Sequence, residues 1–122
     1  MGEIRVRAVR GAIRVDRDEA EAVLSATERL LSAMLERNEV GSDELVSAFF
    51  TATEDLRSAF PAEAARRMGL GGVPLMCAQE IPVAGSMPRV IRILVHFHTG
   101  RGQGEVAHVY LDGAESLRDD LG

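Results

Sequence analysis

Arg92 lies within Val90-Ile91-Arg92-Ile93-Leu94-Val95, where every other side chain leaves water readily and a guanidinium does not. A charge in such a place is costly unless a partner or a ligand compensates it. Arg10 is a second case. Counting by twos sets Ile4, Val6, Ala8 and Arg10 on one strand face and Arg5, Arg7 and Val9 on the other, so Arg10 ends an apolar face. Two arginines directed inward suggest a pocket for a small anion, since a guanidinium offers a rigid fork of donors and keeps its charge at any ordinary pH. Cys77, Glu80 and Tyr110 are further polar residues at expected strand ends. Glu80 could simply neutralise Arg92 or could work beside it. Taken singly, Cys77 reads as a small buried hydrophobe, Tyr110 as a core ring with its hydroxyl at the rim, and Arg66 beside Arg67 as a solvated helix face.

Other chemistries lack their motifs. The glycine-rich stretches do not have the strand, turn and helix context of a phosphate loop or a dinucleotide fingerprint, and there is no CxxC pair. His96 and His98 stand two apart on one strand face, with His108 as a third metal ligand to consider; histidines on a half-exposed sheet are the better reading. Serine and cysteine nucleophile systems have no local support.

These residues need a scaffold, and the hydrophobic pattern supplies one. Residues 3–15 read as a strand passing Gly11, where a bulge or a close backbone approach is expected. Asp16 and Asp18 can cap a helix running to about Asn38, because Val23, Leu24, Thr27, Leu30, Leu31, Met34 and Leu35 recur at the helical period. Residues 44–53 suit a strand, rich in β-formers at Phe49-Phe50-Thr51-Ala52-Thr53. Phe60-Pro61-Ala62 starts a short helix, with Pro61 at its first position, and Gly69 ends it. Residues 73–81, 89–98 and 105–111 are the third to fifth strands, and 90–95 reads as covered on both faces. Five strands with one long and one short helix leave a sheet face and an edge bare, so self-association is expected.

The whole chain, residues 1–122, is one domain. Its composition, 46% hydrophobic and 27% charged, is that of a globular protein. A net charge of -5 argues against a broad nucleic-acid or anionic-membrane surface, so any anion site must be local. No apolar run reaches membrane-span length and the first residues begin a strand, not a signal peptide; the single Cys77 fits a reducing cytoplasm.

The segments Arg10-Gly11-Ala12, Ala52-Thr53-Glu54-Asp55-Leu56, Phe60-Pro61-Ala62, Val73-Pro74-Leu75-Met76-Cys77-Ala78-Gln79-Glu80, Ile91-Arg92 and His108-Val109-Tyr110-Leu111 together resemble the monofunctional, trimeric α/β-class (Bacillus-type) chorismate mutases. They stand in that family's order and spacing, from about residue 5 to Leu121. The resemblance implies an α/β (α+β) fold: a mixed five-stranded sheet with one long and one short helix, assembled as a pseudo-barrel homotrimer with sites between subunits. It implies an isomerase converting chorismate to prephenate in aromatic amino-acid biosynthesis, without cofactor or metal. It also assigns roles. Arg92 would meet the ether oxygen and one carboxylate. Arg10 and Tyr110 would bind carboxylates, and Arg66 would add positive potential at the entrance. Glu80 would accept the ring hydroxyl, with Cys77 a weak partner to the same group. Met76, Ala78 and Gln79 would line the pocket with Cys77 and Glu80, and Phe60 would be an apolar wall. Leu117 and Arg118 would stand in for a longer closing tail. Two positions depart from the pattern: Glu63 sits where some relatives carry lysine, and Met76 where a small hydroxyl residue is common. The rival readings are a trimeric enamine or imine deaminase of related fold and a non-catalytic, trimeric small-anion-binding module.

Overall fold

The computed structural model describes residues 2–117. In chain order they form β1 (Arg5–Arg14), α1 (Ala20–Arg37), β2 (Leu45–Ala52), α2 (Ala62–Arg67), β3 (Leu75–Gln79), β4 (Val90–Thr99) and β5 (Val109–Leu111), with short 3-10 turns at Ser42–Glu44 and Gln103–Glu105. The strands make one sheet in the order β3-β2-β4-β1-β5. β4 runs antiparallel to both its neighbours, β1 and β2, while the outer pairs β2 with β3 and β1 with β5 are parallel. The mixed sheet with two helices is the fold expected from the sequence. No helix among the described residues is long and apolar enough to cross a membrane.

Both helices lie on the same side of the sheet. α1 turns Val23, Leu24, Thr27, Leu30, Leu31 and Met34 inward. Of these, Val23, Leu30, Leu31 and Met34 meet Val9 and Ile13 of β1, Ala48 and Phe50 of β2, and Ile91, Ile93, Val95 and Phe97 of β4 in one buried cluster, which the small residues Ala62 and Ala65 of α2 join. Each large side chain buried there contributes about 1.5–3 kcal/mol. Gly11 is the closest approach: a Cβ on it would lie 2.5 Å from the Met34 sulfur and 3.0 Å from Leu30 Cδ1. The glycine lets the helix seat directly on β1. There is no bulge, since β1 pairs with β4 in unbroken register from Arg5 to Arg14.

The opposite side of the sheet is bare except where Ala12 and Val90 pack with Ala114 and Leu117, and this corrects two expectations. Within Val90 to Val95, Ile91, Ile93 and Val95 are buried under the helices; on the other face only Val90 is covered, in a cluster with Ala114 and Leu117, whereas Arg92 and Leu94 look out half-exposed. In β1 the set buried under the helices is Val9, Gly11 and Ile13, not the series ending in Arg10; on that other face only Ala12 is buried, in the cluster of Ala114 and Leu117. Ile4 and Val6 of that series are 65% and 48% exposed, and Arg10 is exposed as well. Both sets alternate with apolar residues, so the period alone could not rank them. The uncovered face and edge that the element count implied are present, and Phe49 and Met76 add to the face at 41% and 63% exposed.

Smaller differences have local causes. Neither Asp16 nor Asp18 caps α1; Glu19 occupies the cap position without a side-chain bond. Asp18 instead holds the loop before α2, as described below. β5 starts at Val109 and not near 105, because Gln103–Glu105 closes into a 3-10 turn whose Glu105 carboxylate accepts the Gly102 N–H at 2.7 Å. Pro61 sits one position before α2, and Gly69 follows it at φ +86°, the left-handed conformation that ends helices. Arg118, to which the sequence assigned part of a closing tail, lies outside the described residues.

Substituting Gly11→Ala should cost about 1–3 kcal/mol, the usual cost of overpacking a filled core. Equilibrium denaturation of the variant measures it, and an unchanged midpoint would mean that α1 does not rest on this glycine.

Candidate active site

Strand register decides which polar residues meet. Arg92 stands opposite Ala12 on β1 and Thr51 on β2, Leu94 opposite Arg10 and Phe49, and Ala12 pairs with Tyr110 on β5. Paired residues share a face, so Arg10, Arg92, Tyr110, Thr51 and Phe49 gather on the bare side. They line a groove of about 300 Å³ together with Ala12 and Leu94. Glu80, just beyond β3, folds back over it: one carboxylate oxygen accepts from Thr51 Oγ1 at 2.7 Å and from Arg92 Nε at 3.0 Å. The ion pair is partly open, its side chains 40% and 20% exposed for Arg92 and Glu80. A pair this wet is worth on the order of 1 kcal/mol or less. The guanidinium is oriented by it without being used up.

Arg92 also owes its place to the strand's entry. Arg89 takes the left-handed conformation, φ 53°, which is uncommon for any residue but glycine. The Asp55 carboxylate accepts its N–H at 3.1 and 3.2 Å, its Nε donates to the Val15 carbonyl at 2.9 Å, and the next N–H, of Val90, donates to Thr53 Oγ1 at 3.0 Å. These contacts fix β4 two residues before Arg92.

The remaining candidates form a separate group. Phe60, Cys77, Ala78 and Gln79 line a second cavity of about 370 Å³ with Pro61, Arg57 and Ser58, between the β3 edge and the loop into α2. Cys77 points to the helix side, where its sulfur accepts the Ala62 N–H at 3.3 Å. Within one chain it therefore does not face Arg92. Phe60 is largely exposed and Met76 stands on the bare face. Arg66 is paired with Glu63 at 2.9 Å on the same helix, which spends part of its field. Leu117 is buried against Ala12, Val90 and Ala114, with Tyr110 packed on the same cluster.

Thr51 and Phe49 were not singled out from the sequence. The alternation Phe49-Phe50-Thr51 carried the signal: once Phe50 is the buried member, its neighbours must face the groove. Asp18 was read as a helix cap and instead pins the wall of the second cavity, accepting from Arg57 N–H and Ser58 N–H at 3.0 Å each and from Ser58 Oγ at 2.6 Å. The histidines go separate ways. His96 meets Ser47 Oγ at 3.2 Å and Phe49 edge-on, His98 is exposed, and His108 accepts a backbone N–H. Among the described residues no group of three or more His, Cys, Asp or Glu side chains converges as a metal site requires.

The family model of chorismate mutase type I matches residues 6–121. The chain is 55% identical over 117 residues to the chorismate mutase AroH of Thermus thermophilus, across 95% of this chain and 96% of the relative. It is 38% identical over 117 residues to the chorismate mutase AroH of Bacillus subtilis (strain 168), across 95% and 92%. A solved chorismate mutase structure from Clostridium thermocellum matches with a TM-score of 0.89 at 43% identity, over 90% of this chain and 98% of that one.

The loop pinned by Asp18 gives a test in acid. The Ser58 hydroxyl, with the Arg57 N–H, holds the Asp18 carboxyl below its ordinary value. A depressed carboxyl contributes stability that is complete above the unfolded value, near 4, and is lost as pH falls through the folded value. Asp18→Asn should therefore melt below the parent at pH 7, and the gap should close as pH drops below about 4. Thermal melts across pH check this; a gap of constant size would show that the charge is irrelevant.

Proposed function

The chain belongs to the chorismate mutase type I family, and we propose that it works as a homotrimer in which a neighbouring copy closes each Arg92 groove. Its activity is that of the family: it is an isomerase that rearranges chorismate to prephenate, a step in making phenylalanine and tyrosine. The reaction is pericyclic. One C–O bond breaks as one C–C bond forms within the same molecule, with no proton or electron supplied from outside. The protein must fold a flexible dianion so that the two carbons meet, and it must stabilise charge where the C–O bond breaks.

The groove suits both tasks. In the proposed assignment Arg92 points at the ether oxygen, where negative charge accumulates in the transition state, and also reaches one carboxylate. A charge held by a strand in the middle of the sheet costs no reorganisation at the moment of reaction. Arg10 and Tyr110, in the same groove, bind carboxylate. Glu80 turns from Arg92 to accept the ring hydroxyl and faces a ring that becomes relatively positive, with Cys77 a weak partner to that hydroxyl. A carboxylate here would only harm a site built to hold an anion, which speaks against a passive binding module.

Phe60, Cys77 and Gln79 line the other cavity, on the helix side of β3. A second copy laid on the bare face would bring its own α2 and β3 edge to the Arg92 groove, so that Phe60, Arg66 and the stretch Met76 to Gln79 complete the site from across the interface, while Glu80 stays with the Arg92 of its own chain. The exposed Ile4, Val6, Phe49 and Met76 are the apolar surface such a contact would bury. Glu63 weakens the entrance field through its bond to Arg66, and Met76 offers no hydroxyl, so substrate capture suffers more than the chemical step. Leu117 closes the cleft in part. The enzyme is read as cytoplasmic.

The observation that carries the proposal is the gathering of Arg92, Arg10 and Tyr110 in one groove on an uncovered apolar face. Loss of chorismate absorbance with purified protein measures the activity. Arg92→Ala should lower kcat/KM by at least about 3 kcal/mol, some hundredfold, with circular dichroism and assembly unchanged. Unfolding of that variant with activity retained in refolded material would make the Arg92–Glu80 pair purely structural.

A further inference from the structure

β1 is paired along one side by β4 over its whole length, but on its other side β5 reaches only Gly11, Ala12 and Ile13. The outward backbone groups of Ala8 and Arg10 lie before β5 begins, and side chains serve them. Gln103 takes both groups of Ala8: its Oε1 accepts the N–H at 3.1 Å and its Nε2 donates to the carbonyl at 2.7 Å. His108 Nδ1 accepts the N–H of Arg10 at 3.0 Å, so the imidazole stands in for a strand carbonyl. Only a ring with Nδ1 free of its proton can do so.

The base of His108 is anchored too. Buried Asn38, next after the end of α1, clamps its neighbour Ala107 by both backbone groups: Oδ1 accepts the Ala107 N–H at 2.8 Å and Nδ2 donates to its carbonyl at 2.9 Å. Nδ2 also donates to the Met34 carbonyl at 2.8 Å. The long helix thus fixes the segment whose ring fixes Arg10, and two residues further on the same segment delivers Tyr110 to the groove.

We propose that His108 is a positioning residue for Arg10, acting on the reaction through that arginine's backbone and touching no substrate. The proposal rests on reading Arg10 as a carboxylate-binding residue. Losing the acceptor leaves the Arg10 amide at a frayed strand edge and lets the guanidinium drift, and displacements of about 1 Å at such groups can cost up to a hundredfold.

The test is a kinetic cycle with chorismate on the intact protein. His108→Ala should lower kcat/KM about tenfold or more, mainly by raising KM, because carboxylate contacts are made in ground and transition states alike. His108→Asn, which keeps an acceptor near the Nδ1 position, should recover most of the loss. In an Arg10→Ala background the removal of His108 should change nothing further. Additive losses in that cycle, or wild-type kinetics for His108→Ala beside a crippled Arg10→Ala, overturn the proposal. Wild-type kinetics for Arg10→Ala itself would defeat the reading of Arg10 and this inference with it. Should His108→Ala not fold, His108→Asn is compared with His108→Gln, which moves the acceptor one bond outward: an active Asn variant and an impaired Gln variant support the role, and equal activities overturn it.

Discussion

A permanent charge held on the middle strand of the sheet is the constraint around which this molecule is arranged. β4 gives Arg92 no freedom to move away, since that strand is paired on both sides and its alternate residues are locked under the helices. The charge can exist there only because the other sheet face is open and because Glu80, itself held by the Thr51 hydroxyl, meets it. Burying Arg92 fully without a counter-charge would cost several kcal/mol. Leaving it half-exposed with one carboxylate for company costs little, and it leaves the guanidinium available to a dianion.

The same open face explains why the chain is poorly balanced by itself. α1 and α2 cover one side, and nothing in the chain covers Val6, Phe49, Leu94 and Met76 on the other among the described residues. Association through that face would bury apolar area and desolvate the groove at once. Charge-assisted bonds gain strength when water leaves, so in the proposed trimer assembly and catalysis would draw on the same surface. In this account stability and site formation are one event.

How much the sequence revealed follows from where its signals are local. The period of Val23, Leu24, Thr27, Leu30, Leu31 and Met34 is a property of one helix, and α1 was legible for that reason. The strand around Arg92 was legible too, as was the uncovered sheet face. Which face of β1 is buried was not, because both faces carry apolar side chains: Ile4 and Val6 look like Val9 and Ile13. Asp18 looked like a helix cap because capping chemistry is the same wherever backbone N–H groups stand free, and only the fold brings Arg57 and Ser58 to it. The company of Arg92 depends on register across β1, β2 and β5, which no local pattern encodes. Recognising separated blocks in family order gave Arg10, Glu80 and Tyr110 as companions of Arg92. It did not give Thr51, nor the bond from Arg10 to His108.

The central claim is that the site is divided between copies, with Arg92 from one and the Phe60 and Arg66 region from the next. Co-expressing two inactive variants tests this most directly, one carrying Arg92→Ala and the other Phe60→Ala with Arg66→Ala. Mixed trimers would then contain some sites built wholly from native residues. The account predicts that the mixture regains a substantial fraction of chorismate mutase activity that neither variant shows alone. A mixture that forms mixed trimers and stays inactive would contradict it, placing the whole site within one chain.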